Sequence, residues 1–271
     1  MQWHNEYQNE ESVLDIWNSY YNIYDEPFAD SSALPMAALS QSIRKFFKVA
    51  LCGDGGDEVN AGYPWHWAMY KMDSFPFSTP HFITKLIDKS NISFGLKYKF
   101  RALSCKNRLD KWIFLKTGLL QPEFANLPLG NINGYELLKA YFETYNKQLN
   151  SSENTLDWSM KMDILTYLPD DLQFKADRAS MYCGLELREP LLDHTLLEFS
   201  LAIPIELRVD IQKHLSKIMA RKLLAENMNP QLFTRPKQGF SPPLDKWLQK
   251  ELLSDKQEVI TAFENNSLQG P

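Results

Sequence analysis

Apolar residues recur at helical spacing near the N-terminus of this 271-residue chain. The first such stretch predicts a helix whose inner face carries Val13, Leu14, Ile16, Trp17, Tyr20 and Tyr21. A second helix is predicted over residues 33–47, capped by Ser31 or Ser32. The unbroken apolar run 49–52 then stops at Gly53, a pattern typical of a fully buried strand of a parallel sheet.

The pattern changes after this strand. Residues 71–133 mix Pro, Asn and Ser with scattered aromatic side chains, which predicts short helices and loops. Residues 157–250 read as a helical half, in which one helix begins at Pro169 and another is capped by Asp193. An amphipathic helix over 213–226 is predicted to bury Leu215, Ile218, Met219 and Leu223. We therefore expect a single domain over 1–271, with its sheet and the loop after the strand within 1–70.

A glycine-rich loop follows the predicted strand and is acidic. It contains the glycines Gly53, Gly55 and Gly56 and the carboxylates Asp54, Asp57 and Glu58, the last of which is expected to open the next helix. Glycine permits sharp turns and close approach of a ligand to the backbone. A loop of carboxylates would repel a triphosphate unless a cation is present, and Mg²⁺ is held by carboxylates together with phosphate oxygens. The residues leave two interpretations open: a magnesium-nucleotide site, or an ordinary acidic turn.

Composition narrows the class of protein. The chain is 44% hydrophobic and 13% aromatic, which is enough apolar material for a folded core. Its formal net charge of −5 gives no long-range attraction to nucleic acid or to anionic lipid. Neither a membrane-spanning run nor a signal peptide is evident, so we expect a cytoplasmic protein. The cysteines Cys52, Cys105 and Cys183 are read as reduced thiols, and a catalytic role for Cys52 is disfavoured.

Four blocks of the sequence resemble the synthetase domain of glutamine-dependent asparagine synthetases. DEPFADSSALP (25–35) is similar to DEPFxDxSAxP, and GDGGDEVNAGY (53–63) to GxGGDELFGGY. YLPDDLQFKADRASMYCGLELREPLLD (167–193) is similar to YLPDDLLxKxDRxSMxxxLExRxPFLD, and TRPKQGFSPPLDKWL (234–248) to RxKxGFxxPxxxWL. The blocks are independent and occur in the family's order, so the resemblance is specific.

The resemblance implies a parallel α/β sheet of the adenine-nucleotide alpha-hydrolase, or ATP pyrophosphatase, type. It implies that a carboxylate, aspartate in the namesake enzymes, is adenylated by MgATP and then amidated by ammonia from glutamine. By position, Asp57 would hold Mg²⁺, Lys237 would stabilise charge on the reacting phosphate, and Gly53, Gly55 and Gly56 would shape the nucleotide pocket with Asp54. Asp54 stands where asparagine-forming members often carry Glu, a residue associated with proton handling or amine positioning, so the resemblance also makes Asp54 a candidate catalytic residue beside Lys237. Its shorter side chain leaves the carboxylate substrate open.

Two parts of the family's pattern are not found in these residues. The SGGxDS loop, which binds ATP, and the N-terminal glutaminase domain with its cysteine nucleophile both belong upstream of residue 25 in the family. We therefore expect a partial synthetase domain, inactive alone, that associates with a second copy or with a complementing N-terminal part. The alternatives are a ligase domain that amidates a different carboxylate and a non-catalytic remnant or interaction module.

Two groups of charged residues elsewhere in the chain can each be interpreted in two ways. Lys175, Asp177, Arg178, Glu186 and Arg188 are read as an internal ion-pair network in preference to substrate contacts. The basic face Lys213, Lys217, Arg221 and Lys222 is read as a solvated helix surface in preference to a diphosphate site.

Overall fold

The computed structural model describes residues 10–74, 79–90, 92–126, 133–229, 231, 233, 244–247, 249–250 and 253–264. Within these residues the protein is mostly helical, with one small parallel sheet. The helices are α1 (Glu10–Ile23), α2 (Ala33–Arg44), α3 (Pro64–Asp73), α4 (His81–Asp88), α5 (Phe94–Leu103), α6 (Arg108–Thr117), α7 (Gly134–Asn146), α8 (Thr155–Leu165), α9 (Phe174–Tyr182), α10 (His194–Ala202), α11 (Ile205–Arg208), α12 (Ile218–Asn227), α13 (Leu244–Trp247) and α14 (Leu253–Glu264). Short 3-10 turns cover Gln121–Asn126 and Pro190–Leu192, and a π-helical turn covers Leu168–Gln173. Helices thus occupy much of the chain before residue 157 as well as after it.

The described residues form two compact units. The first draws on Met1–Leu51, Phe174–Arg188 and Pro236–Pro271, and the second on Cys52–Gln173 and Glu189–Arg235. Each unit is therefore assembled from segments that are distant in sequence. No described helix is long and apolar enough to cross a membrane.

The first unit packs α1 and α9 against α2. Its core contains Val13 and Ile16 of α1 and Leu34 of α2, and Leu14, Trp17 and Tyr20 pack against it. The face predicted for α1 is therefore confirmed except at Tyr21, which is 88% exposed because it lies at the edge of that face. Helix α2 begins at the predicted residue but ends at Arg44, because the amides of Phe46 and Phe47 both turn back to the Ile43 carbonyl. Ser32 occupies the cap position without a side-chain cap hydrogen bond.

The sheet consists of β1 (Val49–Leu51) and β2 (Glu186–Arg188), which run parallel with Ala50 opposite Leu187. The prediction of a fully buried strand was wrong: Val49 is 40% and Leu51 73% exposed. A parallel strand is buried when neighbours pair with both of its edges and helices cover both faces. Here β1 pairs with β2 alone among the described residues, and β2 also lies outside the 1–70 range expected for the sheet.

Ion pairs in the first unit support the network interpretation in part. Lys175 pairs with Asp30, and the Arg178 guanidinium lies 3.4 Å from an Asp25 carboxylate oxygen. Arg188 and Glu186 instead form a local pair at 2.8 Å with both side chains largely exposed. An exposed pair of this kind adds little to stability.

The second unit is built on α3, α6, α7 and α8. Its core places the Trp112 and Trp158 rings edge to face at 5.7 Å, and both side chains are buried. The segment 71–133 therefore supplies core residues as well as the short helices predicted for it. Local signals define its elements: Asn107 caps α6 by accepting from the Asp110 amide, and Gly118 ends the helix with φ +71°.

Two helix boundaries within residues 157–250 differ from the sequence prediction. The α-helix expected to start at Pro169 begins at Phe174, because a π-helical turn covers Leu168–Gln173 before it. The helix expected from residue 213 begins at Ile218, because an antiparallel bridge joins Asp210 to Leu215. Its expected buried face is open, since Leu215, Met219 and Leu223 are 37%, 42% and 63% exposed. By contrast, Asp193 caps α10 as predicted, accepting from the Thr195 and Leu196 amides.

Candidate functional site

The acidic glycine loop runs from Cys52 to Tyr63, between the end of β1 and the start of α3. Gly55 adopts φ +89°, and a Cβ there would lie 2.2 Å from the Leu192 side chain. A Cβ at Gly56 would lie 3.0 Å from the Leu191 side chain, whereas one at Gly53 would meet nothing within 4 Å. Gly55 is thus required by its backbone conformation and its packing, Gly56 is tightly packed, and Gly53 presents the backbone that a ligand can approach.

Asp54 belongs to a cluster with Cys52 and Glu189. One ligand atom from each residue lies within 4.8 Å of the others. The Cys52 thiol lies 3.6 Å from an Asp54 carboxylate oxygen, and Gln173 donates to Glu189 at 2.8 Å. Burial raises the pKa of the Cys52 thiol to about 11, and the Asp54 and Glu189 carboxylates act in the same direction. A thiol with this pKa is protonated near neutral pH, which agrees with the disfavoured role as a nucleophile.

The chemistry of this cluster suits a hard cation. Carboxylate oxygens from Asp54 and Glu189 are ligands that Mg²⁺ accepts, whereas a protonated thiol is not. The residues present therefore fit Mg²⁺ through two carboxylates. Sequence reasoning found Asp54 but missed Glu189, whose one local signal is its place just before Pro190 in the 167–193 block.

Asp57, the residue predicted to hold Mg²⁺, is paired with a cation of the protein itself. The Lys217 ammonium lies 2.7 Å from Asp57 Oδ1. Lys217 has φ +60° at the start of α12, so it does not lie on the solvated helix face proposed for it from the sequence. The loop also packs on Asp57 closely, since a Cβ at Gly62 would lie 1.7 Å from Asp57 Oδ1.

Glu58 points inward and does not open a helix. Helix α3 begins at Pro64, because Ala61 takes φ +51° and Tyr63 is extended at the cap position. The Tyr63 hydroxyl donates to Glu58 at 2.5 Å, and the Glu58 side chain is 1% exposed. Burial is the largest cause that raises the pKa of Glu58, and the nearby charges of Asp57 and Asp163 add to it.

Other contacts fix the loop from several directions. The Ala61 amide lies 2.9 Å from the Met160 sulfur, and the Trp67 indole donates to the Ala61 carbonyl at 2.9 Å. Arg208 donates to the Val59 carbonyl at 2.9 Å. The loop is therefore held by α3, α8 and α11. Lys237 lies outside the described residues, so its proposed place at the nucleotide stays a prediction.

The family model and the relatives that match this chain all point to the same family. The family model described as asparagine synthase matches residues 1–265. The chain is 28% identical over 261 residues to asparagine synthetase (glutamine-hydrolyzing) 1 of Bacillus subtilis (strain 168), covering 91% of the chain and 38% of that relative. It is 33% identical over 192 residues to putative asparagine synthetase (glutamine-hydrolyzing) 2 of Methanocaldococcus jannaschii, covering 66% of the chain and 35% of that relative.

A vertebrate relative matches over a shorter stretch. The chain is 34% identical over 108 residues to asparagine synthetase (glutamine-hydrolyzing) of Gallus gallus, covering 39% of the chain and 18% of that relative. No solved structure matches the chain. The chain thus spans little more than a third of the length of the bacterial and archaeal relatives.

Proposed function

The chain belongs to the asparagine synthase family, and from that premise we propose that it is an ATP-dependent amide-forming ligase domain. The proposed reaction is adenylation of a carboxylate by MgATP, followed by amidation with ammonia derived from glutamine. The family match over 1–265 is the observation that carries this proposal. The glycine loop at the end of a parallel strand supports it, because α/β proteins bind ligands at the carboxyl ends of their strands. The finer fold assignment, an ATP pyrophosphatase-type sheet, is part of the same proposal.

The loop supplies two sets of carboxylates for Mg²⁺. Asp54 and Glu189 already lie together with Cys52. Asp57 would have to exchange its Lys217 partner for the metal, and a lysine side chain has the flexibility to move away. When bound, Mg²⁺ would neutralise charge on the phosphate oxygens of the nucleotide.

The protein's own groups would act by position and charge. The exposed backbone at Gly53 gives a nucleotide close access to the loop. Lys237 would place a compact positive charge near the α-phosphate, where negative charge develops as the carboxylate attacks. An electrostatic role of this kind lowers the reaction barrier more than it tightens binding.

Residues of the loop bear on the identity of the carboxylate substrate. Asp54 is shorter than the Glu common in asparagine-forming members, and Asn60-Ala61 replaces the family's Phe-Gly. Glu189 adds a second carboxylate beside Asp54. We infer that the site is not restricted to aspartate and accepts a carboxylate of different shape.

The test is carboxylate-dependent exchange of labelled diphosphate into ATP, measured on the natural protein. A panel of carboxylates beginning with aspartate identifies the substrate. Lys237→Ala should lower turnover far more than the affinity for MgATP. If no carboxylate supports exchange although MgATP still binds, the non-catalytic interaction module is the correct alternative.

A second comparison assigns the metal site. If Asp57 is a metal ligand, Asp57→Asn should raise the Mg²⁺ concentration required for nucleotide binding. If Asp54 and Glu189 hold the metal instead, Asp54→Asn should raise it. Glu153→Gln is a matched control, because Glu153 lies just before α8 and pairs with Lys161 of that helix and not with the loop. If nucleotide binding by both loop variants requires the same Mg²⁺ concentration as the wild type, the loop carboxylates do not bind the metal.

A further inference from the structure

A fully buried carboxylate organises the interior of the second unit. Asp163 of α8 has a side chain 0% exposed. It accepts from the Lys116 ammonium at 2.5 Å and from the Trp65 indole at 2.7 Å, and it hydrogen-bonds His66 Nε2 at 2.6 Å. Trp65 and His66 lie in the first turn of α3, directly after the acidic glycine loop. A buried charge is tolerated when it is paired and fully hydrogen-bonded, as it is here.

Lys116 supplies the positive charge for this carboxylate. Its ammonium lies 4.1 Å from the ring centroids of Trp65 and Tyr167 and 4.6 Å from that of Trp112. Three aromatic faces at these distances favour a cation. Burial lowers the pKa of Lys116, and the carboxylates of Asp163, Asp171 and Glu58 act in the opposite direction by favouring the charged ammonium.

A short chain of contacts leads from Lys116 to the loop. The Tyr63 ring stacks on Trp65 with a centroid distance of 4.2 Å and an interplanar angle of 12°. The Tyr63 hydroxyl donates to Glu58, which is the residue after Asp57 in the loop. The position of Glu58 therefore depends on the first turn of α3, and that turn depends on the Lys116–Asp163 pair.

We propose that Lys116 is a positioning residue that holds the acidic glycine loop in place by neutralising the buried carboxylates behind it. This gives a role to residues 71–133, where the resemblance to the family's blocks is weakest. The inference rests on the proposed function only for what the loop binds. Without the ammonium, Asp163 is left as an uncompensated buried charge, and water or rearrangement of the first turn of α3 must compensate for it.

Amide hydrogen exchange on the full chain tests the inference without any ligand. Lys116→Met keeps an apolar stem and removes the charge. The amides of Ala61 and Gly62, which bond the Met160 sulfur and the Asp57 carbonyl, should exchange on the order of tenfold faster. Residues 138–145 of α7, in the same unit, should exchange at the wild-type rate.

Lys111→Met is the matched control, since Lys111 lies on the same helix and reaches the other end of α3. Its ammonium lies 3.4 Å from Asp73, the last residue of that helix. This variant should leave exchange of Ala61 and Gly62 unchanged. Lys116→Arg, which retains a cation, should preserve most of the protection.

The double variant Lys116→Met with Asp163→Asn separates positioning from simple loss of packing. Because it removes both charges, it should restore much of the loop's protection. Equal acceleration in the loop and in residues 138–145 would overturn the inference, since it would mean general destabilisation. No acceleration beyond that of Lys111→Met would overturn it as well. Failure to bind MgATP would count against the proposed function and leave this result unaffected.

Discussion

Arg208 bonds the acidic loop to two other elements, and its replacement by Met should lower the free energy of unfolding by a predictable amount. The Arg208 side chain is 3% exposed. It donates to the Val59 carbonyl at 2.9 Å and to the Ile203 carbonyl at 3.2 Å, and it pairs with the Asp157 carboxylate. Met retains most of the apolar stem but none of the donors.

The expected cost follows from the groups left behind. Removing one partner of a buried ion pair costs about 3–5 kcal/mol. Asp157 is 19% exposed and keeps partial access to water, which places its share at the lower end of that range. The two carbonyls lose hydrogen bonds worth about 1 kcal/mol each when made, although water can replace part of this. We expect Arg208→Met to lower the free energy of unfolding of the second unit by about 4 kcal/mol.

Urea denaturation monitored by tryptophan fluorescence measures this change, because Trp112 and Trp158 lie in the core of the same unit. The slope of the free energy with urea should match the wild type, so that the midpoint alone reports stability. Adding Asp157→Asn to Arg208→Met should recover about 1 kcal/mol, since it removes the charge left without a partner. A single-variant effect below about 0.5 kcal/mol, or strictly additive effects, would refute this reasoning.

Three further predictions concern other parts of the chain. Leu51→Lys should reduce self-association in sedimentation experiments, because Leu51 is an apolar strand residue 73% exposed; a wild-type chain that stays monomeric would contradict this. Cys52 should react slowly with iodoacetamide near neutral pH and faster as the pH rises, since its pKa is raised to about 11; rapid, pH-independent alkylation would be inconsistent with that. Burial alone would raise the pKa of Asp30, but the hydrogen bond from Lys175 helps bring it below 3.8. The stability that ionised Asp30 contributes should therefore be fully present above pH 3.8, the ordinary pKa of the group, and be lost as the pH falls through its lowered pKa in the folded protein. Asp30→Asn should flatten this part of a curve of unfolding free energy against pH, and an unchanged curve would exclude the linkage.

Local signals in the sequence were sufficient for several elements. The inner face of α1 apart from Tyr21, the start of α2 and the Asp193 cap of α10 were predicted correctly. Each depends on residues within a turn or two of one another. The family was also readable from the sequence, because its motif blocks are contiguous runs of residue types.

Predictions that needed distant partners were less successful. The apolar run of β1 indicated a strand, but the degree of burial depends on neighbouring strands and covering helices, and Leu51 is largely exposed. The late start of α12 at Ile218 reflects the bridge between Asp210 and Leu215, which competes with helix formation. Propensity and periodicity do not register such competition.

The sequence by itself determined the glycine loop, its carboxylates and the family to which they belong. Only the tertiary structure decided the partners of those carboxylates: Glu189 beside Asp54, Lys217 on Asp57, and Lys116 on Asp163 behind Glu58. The partners are far apart in the sequence: Lys116 and Asp163 are separated by 47 positions, and Asp57 and Lys217 by 160. A charge acts over a few ångströms of space whatever its distance along the chain, so its consequences become visible only when the chain has folded.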